Sequence, residues 1–214
     1  MIGEDWLLDG EGADRPLLIL AHGAGAGYDT PFMTRMAEAI AARGVMVARF
    51  EFSYMRRRRE TGRRAGPGRA ERLLGEYGDQ VREWAARAPL FIGGKSMGGR
   101  IASMMADRLH EEGLVRGLVC LGYPFHPPGR PGNPRIEHLT TLRTPALVCQ
   151  GDRDPFGRRE EVEEYGLSPS MRLCWLPDGD HDFKPRVKSG ESWAGNMERA
   201  AMAVSDFVHG AATG

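Results

Sequence analysis

Lysine is nearly missing from this chain: Lys95, Lys184 and Lys188 are the only ones among 29 basic residues, the rest being arginine. With 29 glycines and abundant alanine, the bias reads as base composition of the gene. Cysteine is also scarce. Cys120, Cys149 and Cys174 lie in separate apolar runs of the 214 residues, and an odd number so placed predicts buried, reduced thiols, not a disulfide framework. None has metal-ligand spacing, so no metal is expected. Neither sign of charge is in surplus, 29 Lys+Arg facing 29 Asp+Glu. A global footprint for DNA or RNA is therefore absent, and no nucleic-acid partner is expected. The longest purely apolar run, Leu17 to Ala21, falls far short of a membrane span, so no membrane partner is expected either. The opening MIGEDWLLDGEG has early acids and no apolar core, unlike a secretory signal. The cytoplasm is the expected compartment.

What is present is a soluble balance, 41% hydrophobic and 27% charged residues, in a length that suits one domain over 1–214. Short apolar runs alternate with helix-compatible stretches. Strands are expected at Pro16–His22, Val45–Phe50, Pro89–Gly93, Gly117–Leu121, Pro145–Gln150 and Met171–Leu176, with a further edge strand starting at Leu7–Leu8. Helices are expected at Phe32–Arg43, Ala70–Ala88, Gly98–His110, Ile136–Leu142 and Met197–Val208. The central strands are apolar on consecutive residues, as burial on both faces requires. This predicts an α/β fold with a mostly parallel, doubly wound sheet flanked by helices.

Two stretches break the alternation. Ser53–Gly68 carries Arg56-Arg57-Arg58-Arg59, then Arg63 and Arg64. It reads as a solvated, mobile loop, or as a positive rim that recruits an anionic substrate. Tyr123–Arg135 holds five prolines and reads as a stiff irregular loop. Both leave C-terminal strand ends, where the crevice of an open α/β sheet lies, so both are candidate pocket walls.

Gly94-Lys95-Ser96-Met97-Gly98 is a G-x-S-x-G pattern between a strand and a helix. A serine on so sharp a turn needs small neighbours two positions away on each side, and the turn sets it at a helix N-terminus that favours a developing oxyanion. Serine needs a base. Downstream, Gln150-Gly151-Asp152-Arg153-Asp154 follows one strand and Asp178-Gly179-Asp180-His181-Asp182 follows the last, giving the order Ser…Asp…His. His181 is the candidate base. Asp154 is preferred as its carboxylate partner because the step past the strand end carries it into the crevice. Asp152 reads as a turn residue bonding loop backbone, and Asp180 and Asp182 as turn or solvent-facing residues. The Gly23-Ala24-Gly25-Ala26-Gly27 loop is a candidate oxyanion hole, with the amides of Ala24 and Met97 as donors. His22 reads as a ring that fixes this loop through backbone. His126 is a candidate substrate contact, and His110, His138 and His209 read as surface residues. Gly94-Lys95-Ser96 is not a P-loop, since Pro89 replaces the first glycine. Gly23/Gly25/Gly27 is not a dinucleotide loop, since Tyr28 replaces the last.

Together, LAHGAGAGYDTPFM, GGKSMGGR, QGDRDPFG and DGDHDF resemble a compact α/β-hydrolase. The set is similar to the dienelactone-hydrolase-like group, and to the small α/β-hydrolase-like domain shared with a subunit of the non-specific-lethal chromatin complex. The resemblance covers about Leu17 to Val208. It implies an eight-stranded fold trimmed at its N-terminus, without a large cap domain, and Ser96, Asp154 and His181 as a catalytic triad. Serine stands here where dienelactone hydrolases proper use cysteine. The expected activity is hydrolysis of carboxylic esters or related small acyl substrates through an acyl-enzyme, with no cofactor. The alternative is a non-catalytic scaffold of the same fold.

Overall fold

The computed structural model describes residues 6–12, 14–86 and 89–212. Its centre is a seven-stranded sheet. In chain order the strands are β1 (Trp6–Asp9), β2 (Leu17–Ala21), β3 (Met46–Phe50), β4 (Leu90–Lys95), β5 (Gly117–Leu121), β6 (Ala146–Gly151) and β7 (Met171–Leu176). The spatial order is β1-β3-β2-β4-β5-β6-β7. Among the described residues only the β1–β3 pair is antiparallel. Every residue of β2 to β6 is buried, whereas β7, at the edge, is mostly half-exposed. The consecutive apolar runs thus correspond to strands covered on both faces.

Alternation within each strand sorts the core into two layers. Leu18, Leu20, Val47 and Phe91 pack against α1 (Pro31–Ala41) and α7 (Trp193–Ala212). Ile19, Ala48 and Ile92 face the other side. There they meet α3 (Ala70–Trp84), α4 (Met97–Ser103) and α5 (Ala106–Glu111). The fold is therefore the expected α/β type, a mostly parallel sheet between two helical layers, and no large cap is present among the described residues.

Several boundaries differ from expectation. The stretch read as a solvated loop begins with a helix, α2 (Ser53–Thr61). Its Tyr54 and Met55 are buried, Gly62 closes it at φ 67, and Arg58 and Arg59 occupy its last turn, where cations suit the helix dipole. At its start, the Ser53 N–H and Oγ donate to Glu76 at 2.8 and 2.6 Å, replacing a side-chain cap. The expected helix over Gly98–His110 is two, divided at Met104–Met105. Ile136–Leu142 holds only a 3-10 turn, Glu137–Leu139, and α6 is the short Arg159–Val162. The last two residues expected in the Ala70–Ala88 helix lie outside the described residues.

Candidate active site

Because β2, β4, β6 and β7 are parallel, the segments that follow them emerge at one edge of the sheet. Ser96 directly follows β4 and adopts φ 52, ψ −115, a conformation rarely available to a side-chain-bearing residue. Its glycine neighbours are required sterically. A Cβ on Gly94 would stand 2.6 Å from the Ala21 carbonyl oxygen, and one on Gly98 would stand 2.5 Å from the same atom. The turn packs backbone on backbone, with no room for a methyl group.

Asp154 follows β6 and is completely buried. Its Oδ2 bonds His181 Nδ1 at 2.7 Å, and its Oδ1 accepts from the Phe156 N–H at 2.9 Å. Gln150, also fully buried, donates its Nε2 to Asp154 Oδ2 at 3.0 Å, and its Oε1 accepts the Tyr123 N–H at 2.7 Å. His181 also lies against the Phe156 ring, centroids 4.3 Å apart. Asp152 accepts from the Asp178 N–H at 2.9 Å, so it bonds loop backbone as expected. Asp180 caps its own turn through Asp182 N–H and Lys184 N–H.

Ser96 and His181 line one cavity of about 430 Å³. Gly23 to Gly27 form one wall, the start of α1 with Phe32 and Met33 another, and Phe156 and Trp193 lie among the remaining lining residues. Thr30 caps α1 and Pro31 opens it, which aims those side chains at the site. No hydrogen bond joins Ser96 Oγ to His181 among the described residues. The loop wall is held from behind. Tyr54 donates its hydroxyl to the Ala24 carbonyl at 3.0 Å, and Arg58 donates to the Gly25 carbonyl at 3.2 Å. His22 Nδ1 bonds the Gly23 carbonyl at 2.7 Å while its Nε2 accepts the Phe52 N–H at 3.1 Å. Both bonds together require the neutral ring with its proton on Nδ1, and burial pushes the His22 pKa down to about 4. Ala24 lines the cavity. Met97 opens α4, where an amide N–H has no acceptor inside the helix.

Other expectations are corrected. The Tyr123–Arg135 loop does not line this cavity. Arg58 and Arg59 border a neighbouring depression instead, and Arg59 is paired with Glu51 and Asp29. His126 is buried against the Pro127 carbonyl and Glu161, away from the cavity, so it is not a substrate contact there. His138 is half-buried, its Nε2 2.8 Å from Ser103 Oγ, and is no free surface residue. Gln150, Phe156 and Lys95 are near the site but were not anticipated. The visible signal for Gln150 was one polar residue ending an apolar strand.

Residues 14–209 match an alpha/beta hydrolase domain family. The chain belongs to the alpha/beta-hydrolase family. Solved hydrolases share its fold at low identity. Est1E from Butyrivibrio proteoclasticus, bound to ferulic acid, is 16% identical at a TM-score of 0.68, with 98% of this chain and 96% of that one covered. A dienelactone hydrolase from Anabaena variabilis is 22% identical at 0.66, covering 98% and 94%. An alpha-beta serine hydrolase homologue from Coxiella burnetii is 16% identical at 0.67, covering 94% and 89%. The place of this hydrolase's cavity, at the carboxyl ends of parallel strands, is the one such a sheet favours for ligands.

Proposed function

We propose that this chain is a serine hydrolase of carboxylic esters or related small acyl compounds, with Ser96 as nucleophile, His181 as general base and then acid, and Asp154 as orienting carboxylate. The observation that carries the reading is the 2.7 Å bond from His181 Nδ1 to a fully buried Asp154, beside a cavity that His181 shares with Ser96. With Nδ1–H donated to Asp154, Nε2 is left as the proton acceptor. Substrate binding draws Ser96 Oγ and Nε2 to hydrogen-bond distance, a contact often loose in the empty site.

Ser96 Oγ attacks the acyl carbon as its proton passes to Nε2. The Ala24 and Met97 amides donate to the resulting oxyanion. Collapse breaks the bond to the leaving alcohol, which takes the proton from His181. Water then loses a proton to Nε2, attacks the acyl-serine and releases the acid, and His181 returns the proton to Ser96. Asp154 stays ionised throughout. The cavity volume suits small acyl groups. Ser96→Ala is expected to lower kcat/KM for p-nitrophenyl acetate at least ~10³-fold with an unchanged circular dichroism spectrum. A fluorophosphonate probe should label Ser96, and His181→Ala should abolish the labelling. Unchanged hydrolysis in Ser96→Ala would overturn the reading.

A further inference from the structure

Lys95 directly precedes the nucleophile, and the reaction above gives it no task. It is only 7% exposed, at the end of β4. Its Nζ donates to the main-chain carbonyl of His181 at 2.7 Å and lies 3.5 Å from Asp182 Oδ1. The Phe32 ring faces it with the centroid at 5.1 Å. Carbonyl, carboxylate and ring face together satisfy an ammonium taken out of water. Burial pulls the Lys95 pKa down, and the Asp182 and Asp154 carboxylates oppose that pull. The opposite wall is built around the contact. Gly122 has φ +66, and a Cβ there would lie 3.0 Å from the His181 carbonyl oxygen and 3.1 Å from Lys95 Nζ.

We propose that Lys95 is a positioning residue for the base: through its ammonium, the side chain next to the nucleophile holds the backbone of His181, so one tether sets the base relative to Ser96. The proposal rests on the reading of Ser96 and His181 given above. Asp154 fixes one nitrogen of the ring and Phe156 covers one of its faces, but neither holds the backbone of His181. Lys95 fixes the backbone from which the ring hangs, and its ion pair reaches the next residue as well. With ring and backbone both anchored, the placing of Nε2 in the cavity shared with Ser96 depends on Lys95. A compact ammonium with donors in several directions suits this contact, whereas the flat fork of a guanidinium does not. The chain places one of its three lysines here, among basic residues that are otherwise arginine.

The test uses the full chain and p-nitrophenyl acetate. Lys95→Met keeps the length of the stem and removes the donors. It is expected to lower kcat roughly 10- to 100-fold with KM within about twofold, the effect of a misplaced catalytic group. Fluorophosphonate labelling of Ser96 should slow in the same proportion. Lys95→Gln, which retains an N–H donor, should keep a higher kcat than Lys95→Met. In Lys95→Ala, added n-propylammonium should restore kcat, whereas tetramethylammonium, with the same charge and no N–H donor, should not. An unchanged kcat in Lys95→Met overturns the proposal. So does a loss that follows a lowered Tm, is equal in Lys95→Gln and is not relieved by propylammonium. If Lys95→Ala does not fold, the Gln and Met comparison decides alone. Wild-type protein that hydrolyses the ester while Lys95→Met matches it removes this inference only. Wild-type protein that neither hydrolyses nor labels removes the serine-hydrolase reading and this inference with it.

Discussion

At Ser96 the backbone is held at φ 52, ψ −115 by packing that leaves no space for a Cβ at Gly94 or Gly98. Such a conformation costs a side-chain-bearing residue about 1–3 kcal/mol, and glycine adopts it freely. Two variants that lack the proposed nucleophile should therefore differ in stability. Ser96→Ala keeps the strain, whereas Ser96→Gly relieves it and gives back part of the gain through a looser unfolded chain. Ser96→Gly is expected to be the more stable by about 1 kcal/mol, a few degrees in Tm for a chain of this size. Equal melting points would show that the elbow stores no strain. The same steric logic explains what could be read in advance at this scale. Glycines around a strand-to-helix serine leave a trace in sequence because the backbone forbids anything larger. Asp154 and His181 each lie just beyond a legible strand end. Gln150 left only the trace of one polar residue ending an apolar strand, and Phe156 and Lys95 left none, since side chains that meet from separate strand ends and loops have no fixed spacing along the chain.

Among the elements, α2 is the one that the sequence hid and the site uses. Its mean composition is that of a charged loop, and only Tyr54 and Met55 are buried, too narrow a stripe for helical periodicity to register. The glycine after Thr61 was its one local signal, a left-handed C-cap at Gly62. The break between α4 and α5 had none, because no residue from Ser103 to Ala106 is a helix breaker. The buried strands, by contrast, were legible almost to the residue because both faces demand apolar side chains. From α2, Arg58 reaches the Gly25 carbonyl, and Tyr54 reaches the Ala24 carbonyl and, at 3.4 Å, the Gly23 carbonyl, which shares a peptide with the Ala24 N–H proposed to donate to the oxyanion. Tyr54→Phe keeps the ring and loses those bonds. It should reduce kcat about 3- to 10-fold, leave KM nearly unchanged and cost about 1 kcal/mol of stability by urea unfolding. A change confined to KM would mean that the helix shapes the pocket and not the donor.

Across the whole molecule, the parallel sheet brings four strand ends together, and the groups that brace those ends set its response to acid. His22 must be neutral to make both of its bonds, and its folded pKa of about 4 lies below the ordinary 6.5. Between those values the unfolded chain binds the extra proton, so stability falls as pH falls. The contribution is complete above pH 6.5 and is lost by about pH 4, an order of 3 kcal/mol at 1.36 kcal/mol per pH unit. Burial also lowers the pKa of His138, which adds to the same stage with the same sign. A second stage lies lower. The bond from Arg186 holds Asp178 at about 2, so its contribution is present above the ordinary 3.8 and disappears as pH falls towards 2. Asp178 lies at φ 51 in the loop that carries His181, and the Arg153 side chain and the Asp152 carboxylate bond its backbone. The urea midpoint plotted against pH should therefore decline first between 6.5 and 4 and again below 4. His22→Asn retains a donor where Nδ1 stands and has nothing to protonate. It should be less stable at pH 7, because the Phe52 N–H loses its acceptor, and should flatten the first decline while the second remains. A first decline of undiminished slope in His22→Asn would assign that stage to other groups.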